Sequence, residues 1–349
     1  MSTIAQSEAA AAVGRRNVYA ELLRTCDCEG SDTLTGAALW WMAVRPCVFP
    51  MTAIAVLIGI LLAAAAGPFG FAQAGLAVLV LVGSVAAHAG NNLLNDYIDV
   101  HEGIDRQGYF RTEYAPHPIL SGQLTKNQVL FGAAVLHALD LLILVIMVSV
   151  VGWGIAAIAL AGLFLSIAYV APPFSFKRRG LGELTAAVVW GPLMVCGTYY
   201  SAVGAQAWAA MWGIVLASLP CGLLCTTVLM GKHIDKIPYD EPLGIRTLPV
   251  LLGEARARVV TLGMMVGFYV LVALDVAVGA MPWPALVVVL ALPRLTKVWP
   301  YFRRPRPDEP PPKFPVWPLW YAALAWVHVR QAGALLVLGL AVGAVLRVL

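Results

Sequence analysis

Charge is scarce in this chain: 12% of its 349 residues are Asp, Glu, Lys or Arg, while 60% are hydrophobic. A water-soluble domain carries about a quarter charged residues, so a soluble globule of this length is excluded and a lipid bilayer is the expected solvent. A disulfide framework is also missing. Cys47, Cys196, Cys221 and Cys225 fall in apolar segments and read as small buried hydrophobes. Cys26 and Cys28 form a Cys-Asp-Cys with no second ligand pair, which is no zinc signature. The first thirty residues hold no apolar run of signal-peptide type, and the stretch after Arg15-Arg16 is too polar for a twin-arginine signal. Residues 1–37 are therefore expected to be a cytosolic polar tail, ahead of a membrane domain over 38–349. Basic and aromatic residues do not interleave on any segment, so no nucleic acid is expected as a partner.

What the chain has is long apolar runs. About 20 such residues cross a bilayer as a helix, and nine segments qualify: 47–66, 72–95, 128–149, 153–171, 182–203, 208–230, 257–279, 281–299 and 331–348. The expected fold is all-α, with about nine transmembrane helices arranged as two parallel four-helix halves plus one around a central cavity. Links after the odd-numbered spans are short and uncharged, whereas those after the even-numbered spans are long and polar. Every Lys and Arg except Arg347 falls on the side of the polar links. The positive-inside rule makes that face cytoplasmic in a multi-pass protein of the cell (inner) membrane, with the N-terminus cytoplasmic and the C-terminus outside. Trp320, Tyr321 and Trp326, after a Pro-rich run, read as an interfacial aromatic belt ahead of the last span.

Two acidic clusters lie on the cytoplasmic side. In the first, His88, Asn92, Asp96 and Asp99 are spaced four, four and three apart, which lines up one helix face. Asn95 adjoins them, and Asp105 follows Gly103, where the chain can fold back. Oxygen ligands of this kind suit Mg²⁺. The second cluster is Lys232-His233-Ile234-Asp235, then Asp240 and Arg246, four spans later in the same orientation. Facing carboxylates would repel one another, but two Mg²⁺ bridged by a diphosphate would neutralise them, with Arg111, Lys177, Arg178 and Arg246 on the outer oxygens. Tyr97, Tyr199 and Tyr200 are available to stabilise an allylic cation. His137 and Asp140, three apart in one span, read equally as a functional pair or as a packing pair.

At these residues the sequence resembles the UbiA-type intramembrane prenyltransferases. Their first signature appears as Asn95-Asp96-Tyr97-Ile98-Asp99 with Asp105. Trp41 to Pro46 and Ser121-Gly122 are similar to the superfamily too, and Gly180 to Leu184, Gly191-Pro192, Gly197 to Tyr200 and Gly244 to Gly253 are similar most of all to the 1,4-dihydroxy-2-naphthoate polyprenyltransferases of menaquinone synthesis. The resemblance implies that 38–349 is a prenyltransferase domain, transferring an isoprenoid chain from a polyprenyl diphosphate to a small aromatic acceptor with Mg²⁺. It implies metal ligation by Asn92, Asn95, Asp96, Asp99, Asp235 and Asp240, the four aspartates being the catalytic set. Diphosphate would be held by Asn92, Arg111, Lys177, Arg178 and Arg246. In the family pattern the second pair of aspartates stands four apart; here Asp235 and Asp240 are five apart, and Lys232 and His233 occupy positions where Asn is usual. Alternative readings are a prenyltransferase for another aromatic or lipid acceptor, or a secondary transporter with parallel repeats.

Overall fold

Apolar runs bounded by Gly and Pro become helices because a bilayer leaves backbone polar groups no partner but their own segment. The computed structural model describes residues 17–312, 314 and 316–349. Its main helices are α1 (Val18–Thr25), α2 (Gly36–Ala43), α3 (Phe49–Ala66), α4 (Phe71–His101), α5 (Lys126–Val151), α6 (Gly154–Val170), α7 (Gly182–Val188), α8 (Met194–Val203), α9 (Met211–Asp240), α10 (Glu254–Ala277), α11 (Leu292–Phe302) and α12 (Trp320–Val348). No strand occurs among the described residues.

Seven described segments are long and apolar enough to span a membrane. One of them, Gly182–Leu243, runs for 62 residues. At 1.5 Å per residue that is about 93 Å, far beyond a hydrocarbon layer about 30 Å thick, so it holds two crossings, α7 with α8 and then α9, joined by the 3-10 stretch Gly204–Ala210. Gly154–Val170 is a shorter apolar helix. The apolar helical stretches coincide, within a few residues, with the segments read from hydropathy, except that α4 and α9 run on to His101 and Asp240 and the last begins earlier.

That last helix begins at Trp320, not near 331, and Trp320 and Tyr321 are buried in its first turn. They are core residues, not an interfacial belt. Gly231 on α9 permits this: a Cβ there would sit 2.6 Å from the carbonyl carbon of Tyr321, so the start of α12 rests on bare α9 backbone. A second close approach is made by Gly222, whose Cβ would lie 2.3 Å from the Ala187 carbonyl oxygen. Small residues let membrane helices approach in this way. Between α7 and α8 a π turn over Val189–Leu193, with Pro192 inside it, bends the chain and presents Trp190 to the interior.

The N-terminal segment is not a loose tail. Residues 1–16 lie outside the described residues, but Leu22 of α1 is fully buried against Leu39, Met42 and Leu93, and Trp41 Nε1 donates to the Tyr19 carbonyl at 3.3 Å. Cys26 is disulfide-bonded to Cys47, which corrects the expectation that Cys47 is merely a buried hydrophobe. The bond ties α1 to the entry of α3. No run of apolar residues announced this docking, because it rests on a few contacts between segments distant in sequence.

One cavity of about 640 Å³ occupies the interior. Helices α3 to α9 and α12 wall it, whereas α10 and residues 283–302 contribute none of its lining. Met51, Leu144, Met147, Ile155, Ile158 and Val327 make most of it apolar.

Candidate active site

A ring of ionic side chains closes the polar-link end of this cavity. The C-terminal turns of α4 supply its floor. Asp96, with no exposed surface, bonds Arg45 through Oδ1 and Arg111 through Oδ2 at 3.4 Å. Arg45 comes from the turn between α2 and α3, where it adopts a left-handed conformation with φ 57°. One turn on, Asp99 receives Lys177 Nζ at 2.6 Å and Arg178 at 3.1 Å. Lys177 also donates to Asn95 Oδ1 at 2.6 Å, and Arg178 bonds Glu102 at the rim. Asn92 lines the cavity and donates to the Val44 carbonyl at 2.9 Å.

The chain then folds back as expected. Gly103 takes φ 71°, a region closed to most side chains, and Asp105 N donates to the Asp99 carbonyl at 3.0 Å. This returns Asp105 to the cluster, where its Oδ2 lies 3.2 Å from His117 Nε2. Asp96, Asp105 and His117 offer ligand atoms within 4.8 Å of one another. His117 Nδ1 accepts the Ile119 N–H, so its Nε2 carries the proton and points it at Asp105. His117 therefore braces Asp105, and the oxygens of Asp96 and Asp105 remain as the donors for a hard cation. Burial would raise the Asp105 carboxyl, but the His117 bond and the charges of Arg111 and Lys177 hold it well below the usual range. Burial lowers the His117 imidazole, outweighing the raising effect of its bond to Asp105. Tyr114 lines the cavity beneath; burial pushes its phenol up, yet Lys232, Arg111 and Arg45 outweigh that and bring it down to about 8.

The second cluster departs from expectation. Asp235 is not in the ring: Oδ1 accepts Tyr321 N–H and Oδ2 accepts Ala322 N–H, each at 3.0 Å. It caps the N-terminus of α12, where a carboxylate satisfies otherwise orphaned amides. Arg246 is also elsewhere. Its amide bonds the Arg178 carbonyl at 3.1 Å, and its side chain is exposed outside the cavity lining. Asp240 does reach the ring, taking the Tyr109 hydroxyl at 2.5 Å and Lys236 Nζ at 3.3 Å. His233 bonds Glu183 at 2.5 Å, and Glu183 also accepts Leu248 N–H at 3.4 Å. That buried pair ties α7, α9 and the 244–253 loop together, which is the structural task of Glu183 within the Gly180–Leu184 motif.

The aromatic wall differs too. Tyr97 stacks on His101, and Tyr200 packs on Trp208; neither they nor Tyr199 line the cavity. Trp190, Tyr169, Tyr114 and Trp326 do. His88 is a packed histidine, bonded to Thr52 at 2.8 Å and set edge-on to Trp190. His137 and Asp140 pack over Gly90 and Gly83 of α4 and also line the cavity. Arg45, His117 and Tyr114 were not read as site residues, since each joins the site only by tertiary contact, and Lys232 stood in the second cluster without a role assigned to it.

An ionic ring over an apolar cavity can hold a polyanionic head and bury the hydrocarbon attached to it. Comparison with known proteins agrees. The 2-carboxy-1,4-naphthoquinone phytyltransferase of Synechocystis sp. is 26% identical over 257 residues, covering 73% of this chain and 79% of that one. The 1,4-dihydroxy-2-naphthoate octaprenyltransferase of Escherichia coli is 28% identical over 240 residues, covering 67% and 75%. Among solved structures, a UbiA homolog from Archaeoglobus fulgidus bound to DMAPP and Mg²⁺ shares the fold, with a TM-score of 0.51, 15% identity and coverage of 83% and 97%. The family model for UbiA prenyltransferases matches residues 52–324, most of the chain, and the chain belongs to the UbiA prenyltransferase family.

Proposed function

We propose that this prenyltransferase moves a polyprenyl group from its diphosphate to 1,4-dihydroxy-2-naphthoate, with Mg²⁺ bound at Asp96 and Asp105. The observation that carries this reading is the ionic ring set directly over a mostly apolar cavity. The resident oxygens suit Mg²⁺: two buried carboxylates converge, Asn92 stands one turn before Asp96 on the same helix, and Asn95 adjoins Asp96. When bound, the ion supplies Lewis-acid stabilisation of the departing diphosphate.

The chain's own groups do the rest. Lys177, Arg178, Arg111 and Arg45 are placed to bind the outer diphosphate oxygens by charge-assisted bonds. Breaking the allylic C–O bond leaves its electron pair on diphosphate and a cation on the prenyl carbon. Trp190, Tyr169 and Tyr114 offer π-faces to that cation, and the dry wall keeps water from trapping it. A ring carbon of the acceptor then forms the new C–C bond. Loss of the acceptor's carboxylate as CO₂ returns the electron pair to the ring, so no proton is removed at that carbon.

Support for the acceptor comes from the names of the naphthoate and naphthoquinone relatives. The test is mass spectrometry of products from purified protein, Mg²⁺, a labelled prenyl diphosphate and a panel of dihydroxynaphthoate, hydroxybenzoate and an isoprenoid glycerophosphate. A decarboxylated prenyl-naphthalenediol is expected. Product from another acceptor alone would replace the naphthoate reading, and family membership already sets the transporter alternative aside.

Chain length should be read by the wall. Gly162 lines the cavity, and a Cβ there meets nothing within 4 Å. Gly162→Phe is expected to disfavour long prenyl donors over short ones by about tenfold or more, since each misfit methylene costs about 1–3 kcal/mol. Equal losses for a ten-carbon and a forty-carbon donor would show that the chain runs elsewhere.

The basic face is read as cytoplasmic, with the C-terminus outside. Cys26 and Cys47 sit on that face, so in intact cells the reducing compartment should keep them as thiols. Alkylation after acid trapping should label both, whereas protein purified in air should protect them. Protection inside cells would place this face on the outside.

A further inference from the structure

The geometry points to a site built for one divalent ion, in which the ammonium groups of Lys232 and Lys236 do the work of a second. This rests on the diphosphate reading above and fixes the metal count of the same site.

On α9, Lys232, Lys236 and Asp240 are spaced four apart and share one stripe. Lys232 lines the cavity together with Tyr114, Arg45 and Arg111. Lys236 bonds Asp240, lies 5.1 Å over the Tyr109 ring, and is near enough to lower Lys177, behind the larger effects of burial and of Asp99. Asp235 lies about 100° around the helix from Lys236, with both oxygens committed to the amides of Tyr321 and Ala322. The second half of the site therefore offers one carboxylate. Its Oδ1 is taken by Tyr109 and Lys236, and only Oδ2 is without a partner.

Charge makes the same case. Four buried carboxylates (Asp96, Asp99, Asp105 and Asp240) sit among Arg45, Arg111, Lys177, Arg178 and Lys236, and Lys232 lines the cavity beside Arg45 and Arg111. Even with Glu102 credited to Arg178 at the rim, cations already exceed anions before any metal binds. One dication and a diphosphate bring this set close to neutrality. A second dication beside Lys236 would add repulsion in a site where water screens little. A lysine ammonium is a compact point charge that binds phosphate oxygens, so the pair can neutralise the leaving group without an ion.

The test counts ions. Detergent-purified protein with a saturating non-hydrolysable prenyl bisphosphonate is titrated with Mn²⁺, and free Mn²⁺ is followed by electron paramagnetic resonance. One tight ion per chain is expected, lost in Asp96→Asn; two tight ions would overturn the proposal. In Lys232→Met/Lys236→Met, bisphosphonate affinity should fall about 10–100-fold, the loss of bonds to charged groups, with the ion count unchanged. Undiminished affinity would also overturn it. The count on the native protein requires no variant and no acceptor, so failure to find product would bear on the naphthoate reading and leave this one standing or falling separately.

Discussion

Asp96→Asn is expected to lower prenyl transfer by about 10²–10³-fold, the loss seen when one preorganised group that stabilises transition-state charge is removed. Asp96 has no exposed surface and carries two arginines, one on each oxygen. It also stands within ligand distance of Asp105. Neutralising it removes a metal oxygen and leaves Arg45 and Arg111 with one fewer counter-charge in a buried place. Breaking a buried pair costs about 3–5 kcal/mol, so melting temperature should drop too. The two effects separate by binding: in the variant, affinity for a prenyl bisphosphonate should no longer respond to Mg²⁺, while its Mg²⁺-independent affinity should persist through the basic residues. Mg²⁺-stimulated binding retained in Asp96→Asn would remove Asp96 from the ion site.

Asp235→Asn should do the opposite. Its carboxylate spans two backbone amides at the head of α12 and touches no group of the ionic ring. An amide can accept only one of those hydrogen bonds and turns its NH₂ against the other donor. The expected cost is about 1–3 kcal/mol of stability, the penalty for an unsatisfied buried donor, seen as a lower melting temperature. Prenyl transfer per folded molecule should stay within a few-fold of the native rate. The family pattern, carried over residue by residue, would have Asp235 as a catalytic ligand and its loss as damaging as that of Asp96. Comparable loss in both variants, with stability matched, would restore Asp235 to the site.

The contrast between those residues shows what was legible. The membrane fold was readable because a bilayer demands about 20 apolar residues per crossing, and that constraint acts within each segment. The first acidic cluster was readable for a similar reason: spacings of three and four put Asn92, Asp96 and Asp99 on one face of α4, and Gly103 marks the turn that returns Asp105. The second was misread from its spacing. Five residues at 100° each separate Asp235 and Asp240 by about 140°, too far to share a face. The stripe that does share a face, Lys232–Lys236–Asp240, was present in the sequence but is cationic where acid was sought.

Other features were out of reach for a physical reason. Arg45 meets Asp96 from 51 residues away, and Tyr109 meets Asp240 from 131 away; no local period encodes such pairs. Trp320 and Tyr321 looked interfacial because an amphipathic aromatic before an apolar run is usual at a membrane surface. They are buried instead because Gly231 lets α12 settle on α9, and Asp235 then anchors its first turn. The Cys26–Cys47 bond and the docking of Leu22 rest on a separate non-local packing, of α1 against α2 and α4.

The most direct test of the account is an experimental structure of the protein with Mg²⁺ and an unreactive long-chain prenyl thiodiphosphate. It should show the diphosphate between the ends of α4 and α9, with an ion on Asp96 and Asp105 and with Lys177, Lys232 and Lys236 on its oxygens. The prenyl chain should run down past Trp190 into the 640 Å³ cavity. A diphosphate bound away from the Asp96 ring, or a chain lying outside the cavity between helices and lipid, would contradict it.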